Sequence, residues 1–180
     1  MKIIIFGASG AGTTTLGKSI AKKLNWIHLD ADDYYWEDTD PPFQKKILLE
    51  ERNANLNTDF QKHTNVIISG SLVTWSDYWN TAFDLGVFLV LPKEIRMKRL
   101  LNREKDRYGE ALNTNEEIKA KTKAFLEWAG KYDDINFQGR SIKLHRDWLE
   151  LMDCEVVELN GDLTNEERLN VIVEKIKDAP

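Results

Sequence analysis

The chain opens on the apolar run Lys2-Ile3-Ile4-Ile5-Phe6, passes directly into Gly7-Ala8-Ser9-Gly10-Ala11-Gly12-Thr13-Thr14-Thr15, and then takes up a helical period at Leu16, Ile20 and Leu24. A strand, a glycine loop and a helix in direct succession leave few folds open. Glycines let successive backbone N–H groups converge on one anion, and the helix start behind them adds its positive end. The string GASGAGTT matches the phosphate-cradling pattern G-x-x-x-x-G-K-[ST] at both glycines and at the hydroxyl residue Thr14, a magnesium ligand in that pattern. It departs from the pattern at Thr13, where a lysine is expected. The competing reading is a glycine turn that only joins a strand to a helix.

Further along, short apolar runs alternate with helical patterns, which predicts an α/β fold with a parallel sheet wrapped by helices. Strands are expected at Lys2–Phe6, Trp26–Leu29, Asn65–Ser69, Gly86–Leu91 and Glu155–Leu159. Ile118, Thr122, Phe125 and Ala129 repeat at three and four. Leu169, Ile172, Val173 and Ile176 form a second apolar stripe. Thr114 with Glu117, and Thr164 with Glu167, have the spacing of capping boxes. Pro41-Pro42 opens a loop before a helix through Leu56 and Phe60. With no repeat or Gly/Ser linker in 180 residues, the reading is one domain, residues 1–180, with helical excursions at 40–62 and 104–140.

Ile3–Phe6 is too short for a signal-peptide core, and Leu85–Leu91 falls far short of the roughly 18 apolar residues of a membrane span. Cys154 stands alone, so neither an intrachain disulfide nor a four-cysteine zinc site is available. A cytosolic protein with no membrane partner is expected. The net charge of −5 argues against a nucleic-acid partner, whereas Lys93 to Arg107 carries seven basic and three acidic residues, a local excess of +4. Within that stretch Arg96, Arg99, Arg103 and Arg107 are spaced three, four and four, on one face of a helix after Pro92. Only Glu104, reaching Arg107, is placed to neutralise the row, so it reads either as a solvated charge face or as an anion grip. Arg140 and Arg146 add a grip from the other side, and Gly109 reads as the cap that ends the helix.

Asp30, Asp32 and Asp33 follow the second strand at the carboxyl edge of the sheet, where open α/β folds place ligands. They are either an acidic cap before Tyr34-Tyr35-Trp36 or chemistry-bearing carboxylates. Ser69-Gly70-Ser71 follows the third strand at the same edge, with Trp75 and Trp79 four apart beyond it, as an acceptor pocket or as packing. His28, His63 and His145 have no ligand spacing, although His145 lies beside Arg146. Cys154, before an apolar strand, reads as buried and inert.

Taken with Asn160-Gly161-Asp162 after the fifth strand, these motifs give a chain that resembles, over nearly all its length, the nucleoside-monophosphate-kinase-like branch of P-loop small-molecule kinases, which includes adenylate, shikimate and gluconate kinases. The resemblance implies a five-stranded parallel sheet with helices on both faces, a substrate-binding segment at about 40–62 and a lid at about 104–140. It implies ATP and Mg²⁺ at Gly7–Thr15, with Asp30 on the metal side and Asp32 on the acceptor. It also puts Arg99 on adenine and Arg103 on the transferring phosphate. The expected reaction moves the γ-phosphoryl group onto a small acceptor facing Asp32, Gly70, Ser71, Trp75, Arg52 and Arg140. Arg52 is the one arginine between Lys23 and Lys93, and the loop after strand three has none, which leaves room for an uncharged nucleoside, sugar or other alcohol. Thr13 keeps open a nucleotide binder without catalysis. An adenylate-type kinase also stays open, whereas a GTP switch is disfavoured because no Asn-Lys-x-Asp string occurs. For the missing lysine, Arg103 is the first expected replacement and Lys18 the second. The sequence does not speak to oligomeric state.

Overall fold

A computed structural model describes residues 1–40 and 42–178. Five parallel strands form one sheet: β1 (Lys2–Gly7), β2 (Ile27–Asp30), β3 (Val66–Ser69), β4 (Leu85–Val90) and β5 (Glu155–Asn160). Their order in space is β2-β3-β1-β4-β5. Strand β1 is central because it is apolar on both faces: Ile3, Ile4, Ile5 and Phe6 are all fully buried. The period of two sends Ile4 and Phe6 to one side with Ile68, Phe88, Phe60 and Trp148, and Ile3 and Ile5 to the other with Ile67, Val87, Leu16, Ile20 and Ile172. Each expected strand is present, with ends displaced by at most one residue.

Helix α1 (Thr13–Leu24) follows β1, and α2 (Ala31–Tyr35) follows β2. Helix α3 is Leu49–Gln61, α4 is Lys93–Tyr108, α5 is Ala111–Thr114 and α6 is Glu116–Gly130. Helices α7 (Ile142–Leu149) and α8 (Asn165–Lys177) flank β5. The Thr164–Glu167 capping box opens α8 as its spacing predicts, and Gly109 ends α4. The Thr114–Glu117 box does not form. Asn115 caps α6 instead, its Oδ1 accepting from the N–H groups of Glu117 and Ile118, while the Thr114 hydroxyl turns back to the Glu110 carbonyl. The excursion after β2 is helical only from Leu49. Before it, Tyr35 to Glu37 pair antiparallel with Lys45 to Ile47, Glu37 N–H donating to Lys45 O at 2.9 Å and Ile47 N–H to Tyr35 O at 2.9 Å. Of the Pro41-Pro42 pair, Pro41 lies outside the described residues.

Trp79 resolves as packing: its ring stands 5.4 Å from Phe60, and its indole N–H donates to Asn53 Oδ1 at 2.7 Å. Phe6 stacks on Phe88 at 5.0 Å and meets the edge of Trp148 at 4.8 Å, joining β1 to β4 and α7. Phe6→Ala is therefore expected to cost about 3–5 kcal/mol. Urea denaturation checks this as a lower midpoint at unchanged m value.

Candidate nucleotide and acceptor site

The carboxyl end of β1 delivers Gly7 into the loop at the point where β1 pairs with β4. A Cβ on Gly7 would lie 2.6 Å from the Leu89 carbonyl oxygen, so only glycine fits. Gly10 (φ +83°) and Gly12 (φ +96°) adopt the left-handed conformations that turn the loop back on itself. Gly12 caps α1 without any side-chain hydrogen bond, and the first turn of α1 carries no acid, so its free N–H groups remain for an outside anion. The Thr14 hydroxyl has no protein partner among the described residues.

Three arginines from distant parts of the chain converge on this loop. Arg140, in the segment between α6 and α7, donates from Nη2 to Ser9 Oγ at 2.7 Å and lies over Trp128 at 5.1 Å. Its Nε is buried and has no partner. Arg168, in the first turn of α8, donates from Nη1 to Ala11 O at 2.8 Å and from Nη2 to Gly161 O at 3.3 Å. Arg99, on α4, pairs with Asp162 at 2.7 Å. A Cβ on Gly12 would find Nη1 of Arg168 at 3.4 Å and Nη1 of Arg99 at 3.8 Å. Of the two cations expected to replace the lysine, Arg103 pairs with Glu104 at 3.5 Å and acts on Asp32, while Lys18 acts on His28 and Asp33 at the end of β2.

The row of arginines on α4 does not work as one face. Arg96 is fully buried, ion-paired with Asp133, bonded to the Leu91 carbonyl and placed 4.9 Å from the Tyr132 ring. Arg107 pairs with buried Glu104 at 2.7 Å and lies 4.6 Å from the Phe43 ring. Glu104 thus neutralises Arg103 as well as Arg107. Arg146, aimed by the sequence at the site, forks onto Glu158 of β5.

Asp30 ends β2 opposite Ser69, and its Oδ1 accepts from the backbone N–H of Asp32 at 3.1 Å. The Asp30-Ala31-Asp32 string is thus a capped helix start as well as a pair of carboxylates at the sheet edge. Asp32 is open to solvent on one side, with Asp30, Arg140 and Arg103 acting on it. Loss of hydration there, followed by the Asp30 charge, pushes its carboxyl above the ordinary value of 3.8, against the pull of Arg140 and Arg103.

Gly70 (φ +110°) lies so close to Ala31 that a Cβ would stand 2.7 Å from the Ala31 Cβ, fixing the loop after β3 against α2. Ser71 follows, its Oγ 2.8 Å from His145 Nε2, and the Tyr132 hydroxyl lies 2.7 Å from His145 Nδ1. Burial, aided by the nearby Arg140 charge, holds His145 down at about 3, so it is a neutral structural link beneath the site. Trp75 is buried, and Arg52 lies against the rings of Tyr35 at 4.3 Å and Trp75 at 4.7 Å, its Nε buried without a partner. Among the described residues no group of three His, Cys, Asp or Glu side chains forms a metal cage. No helix there is long and apolar enough to cross a membrane. Cys154 is half-buried, its thiol pushed up chiefly by burial.

Sequence reasoning missed Arg168. Its position four residues before Ile172 put it on the buried stripe of α8, which was the available signal. Tyr35 and Tyr132 were also missed, and neither carried one.

A family model described as an AAA domain matches residues 3–121. The uncharacterized protein YqaC of Bacillus subtilis (strain 168) is 39% identical over 172 residues, 96% of this chain and 95% of that protein. A cytidylate kinase of Methanococcus aeolicus is 28% identical over 124 residues, 63% of this chain and 70% of the kinase. Among solved structures, shikimate kinase from Acinetobacter baumannii superposes with a TM-score of 0.59 at 19% identity, covering 98% of this chain and 92% of that one.

The raised pKa of Asp32 predicts a stability effect. A carboxyl whose folded pKa exceeds its unfolded value destabilises the fold fully above the folded pKa, and the penalty shrinks below that point to vanish at the unfolded value. Asp32→Asn is expected to melt at a higher temperature than wild type at pH 7. The gap should close on acidification, as read by thermal scans across pH.

Proposed function

Starting from the membership of this chain in the AAA-domain family of P-loop proteins, in its nucleoside-monophosphate-kinase-like branch, we propose that it is an ATP-dependent phosphotransferase acting on a small hydroxyl compound that bears an anionic group. One observation carries the reading: Arg140 bonds Ser9 of the phosphate loop while its charge acts on Asp32, so the donor and acceptor halves of a transfer site share one guanidinium. Phosphoryl transfer asks a protein mainly for positioning and for compensation of charge on the moving group.

The loop Gly7–Thr15 would take the phosphates on its backbone N–H groups, with Arg99 beside the base and Arg103 and Arg140 over the transferring group. Thr14, with its free hydroxyl, and Asp30 would hold Mg²⁺, which neutralises β- and γ-phosphate oxygens when bound. An ion chelated mostly by phosphates and water fits a site with so few protein ligands. The acceptor oxygen forms a bond to the γ-phosphorus as the bridging bond to the β-phosphate breaks, and ADP leaves with that electron pair. The hydroxyl proton passes to the Asp32 carboxylate and from there to solvent.

The acceptor class follows from Arg52. The loop after β3 lacks an arginine, but Arg52 brings a guanidinium from α3, held against two rings and with Nε unengaged. With Arg140 it gives the acceptor side two positive charges against Asp32, a match for a carboxylate or phosphate on the acceptor. Ser71 and Gly70 line the same edge.

ADP release measured over a panel of hydroxy acids, nucleoside monophosphates, nucleosides and sugar alcohols is expected to single out an anionic acceptor. Calorimetry showing no Mg-ATP binding at millimolar concentration would overturn the nucleotide reading, and turnover restricted to uncharged acceptors would overturn the acceptor class. On the acceptor so found, Asp32→Asn should lower kcat by roughly 10²–10⁴-fold with ATP affinity nearly intact. Arg52→Met should act mainly on the acceptor KM, raising it about tenfold or more. Because only ionised Asp32 accepts the proton, kcat/KM should fall with acid at a pH above the ordinary carboxylate range, and Asp32→Asn should abolish that limb.

A further inference from the structure

A buried charge without an ion pair is among the costlier features a fold can keep, and Arg168 is one among the described residues. It is 3% exposed, its hydrogen bonds go to the neutral carbonyls of Ala11 and Gly161, its Nε has no partner, and it makes no ion pair among the described residues. The nearest ionised groups sharpen this. Arg99 opposes it, and Asp162, the acid in range, spends its Oδ1 on Arg99. Burial and Arg99 both press the Arg168 ionisation downward, yet a guanidinium stays charged. A guanidinium so placed has donors and charge to offer an anion at the loop.

The place of that charge is informative. Nη1 of Arg168 stands 3.4 Å from where a Gly12 Cβ would be, at the start of α1, one residue from Thr13. Thr13 occupies the position at which the phosphate-loop pattern carries its lysine. A cation is missing from the loop's own sequence, and an unneutralised one is pressed against the loop from α8, 157 residues away along the chain. The other cations near the loop have acids to answer: Arg99 pairs with Asp162, Arg103 with Glu104, and the Arg140 charge acts on Asp32.

We infer that Arg168 is the phosphate-loop cation of this protein, supplying from the first turn of α8 the positive charge that Thr13 does not. The inference rests on the nucleotide reading above. It makes Arg168 a binding residue for the polyphosphate of the nucleotide, and it explains why the α8 stripe admits an arginine where it meets the loop.

The test is the affinity for Mg-ATP, by calorimetry, of wild type, R168M, R168K, T13K and the T13K/R168M double variant. R168M is expected to weaken Mg-ATP about 10- to 100-fold, the worth of a charge-assisted contact to phosphate, and R168K to recover most of that loss. T13K should restore about tenfold or more in the R168M background and give less than about threefold in wild type, because one cation serves one role. Arg168 acting only as a clip on the Ala11 and Gly161 carbonyls would produce a loss that T13K does not repair, and that result overturns the inference. So does R168M binding within about threefold of wild type. Should R168M not fold, T13K alone decides: a gain of about tenfold shows a loop that lacked a cation and overturns the inference, and a gain below about threefold supports it. Wild type silent to Mg-ATP removes the nucleotide reading itself, and this inference with it, an outcome distinct from an intact affinity in R168M.

Discussion

The register that β1 keeps between β3 and β4 sets where every reactive side chain stands. Ile5 pairs with Ser69 on one side and Val87 on the other, so the three strands end together and release their loops at one edge. Gly7 makes that register possible, since its missing side chain lets the chain pass the Leu89 carbonyl before it turns. The loop after β3 is fixed in the same manner by Gly70 against Ala31, which ties Ser71 to the helix that carries Asp32. Two close backbone approaches therefore hold the phosphate loop and the acceptor edge in a constant relation.

Upon that frame the electrostatics are uneven by construction. Four arginines, Arg52, Arg99, Arg140 and Arg168, face the cleft or its rim, and only Arg99 has a carboxylate within ion-pair distance among the described residues. Three of the others keep an Nε with no protein partner. In a low-dielectric setting such donors cost stability when empty and strengthen any anion they receive. Asp32 shows the same imbalance in reverse: a carboxylate held above its ordinary range, restrained by the cations it faces. Arg96 and Arg146, equally basic in the sequence, are by contrast settled into Asp133 and Glu158.

Much of the fold was legible in the sequence because buried parallel strands are written as unbroken Ile, Val, Leu and Phe runs, and because Thr164 with Glu167 spells its own helix start. The phosphate loop was legible for the same local reason. Local reading failed where two neighbours compete, as Thr114 and Asn115 do for one set of N–H groups, and the asparagine amide won. It failed again where Tyr35 to Glu37 pair with Lys45 to Ile47, since neither stretch has the apolar alternation that marks a strand. The α4 arginines share a spacing but not a fate, since Asp133, Tyr132 and Phe43 reach them from other elements. Arg168 escaped because spacing describes one helix at a time, while its meaning lies in a loop at the opposite end of the chain.

Phe43 and Gln44 rest on the α4–α6 unit rather than on the sheet: Phe43 lies under Arg107, and Gln44 accepts from Lys121. Contacts of this exposed kind are worth about 1 kcal/mol or less each. Under the proposed function, a ligand seated beneath them would have to supply from its own binding the clamping energy that these contacts lack.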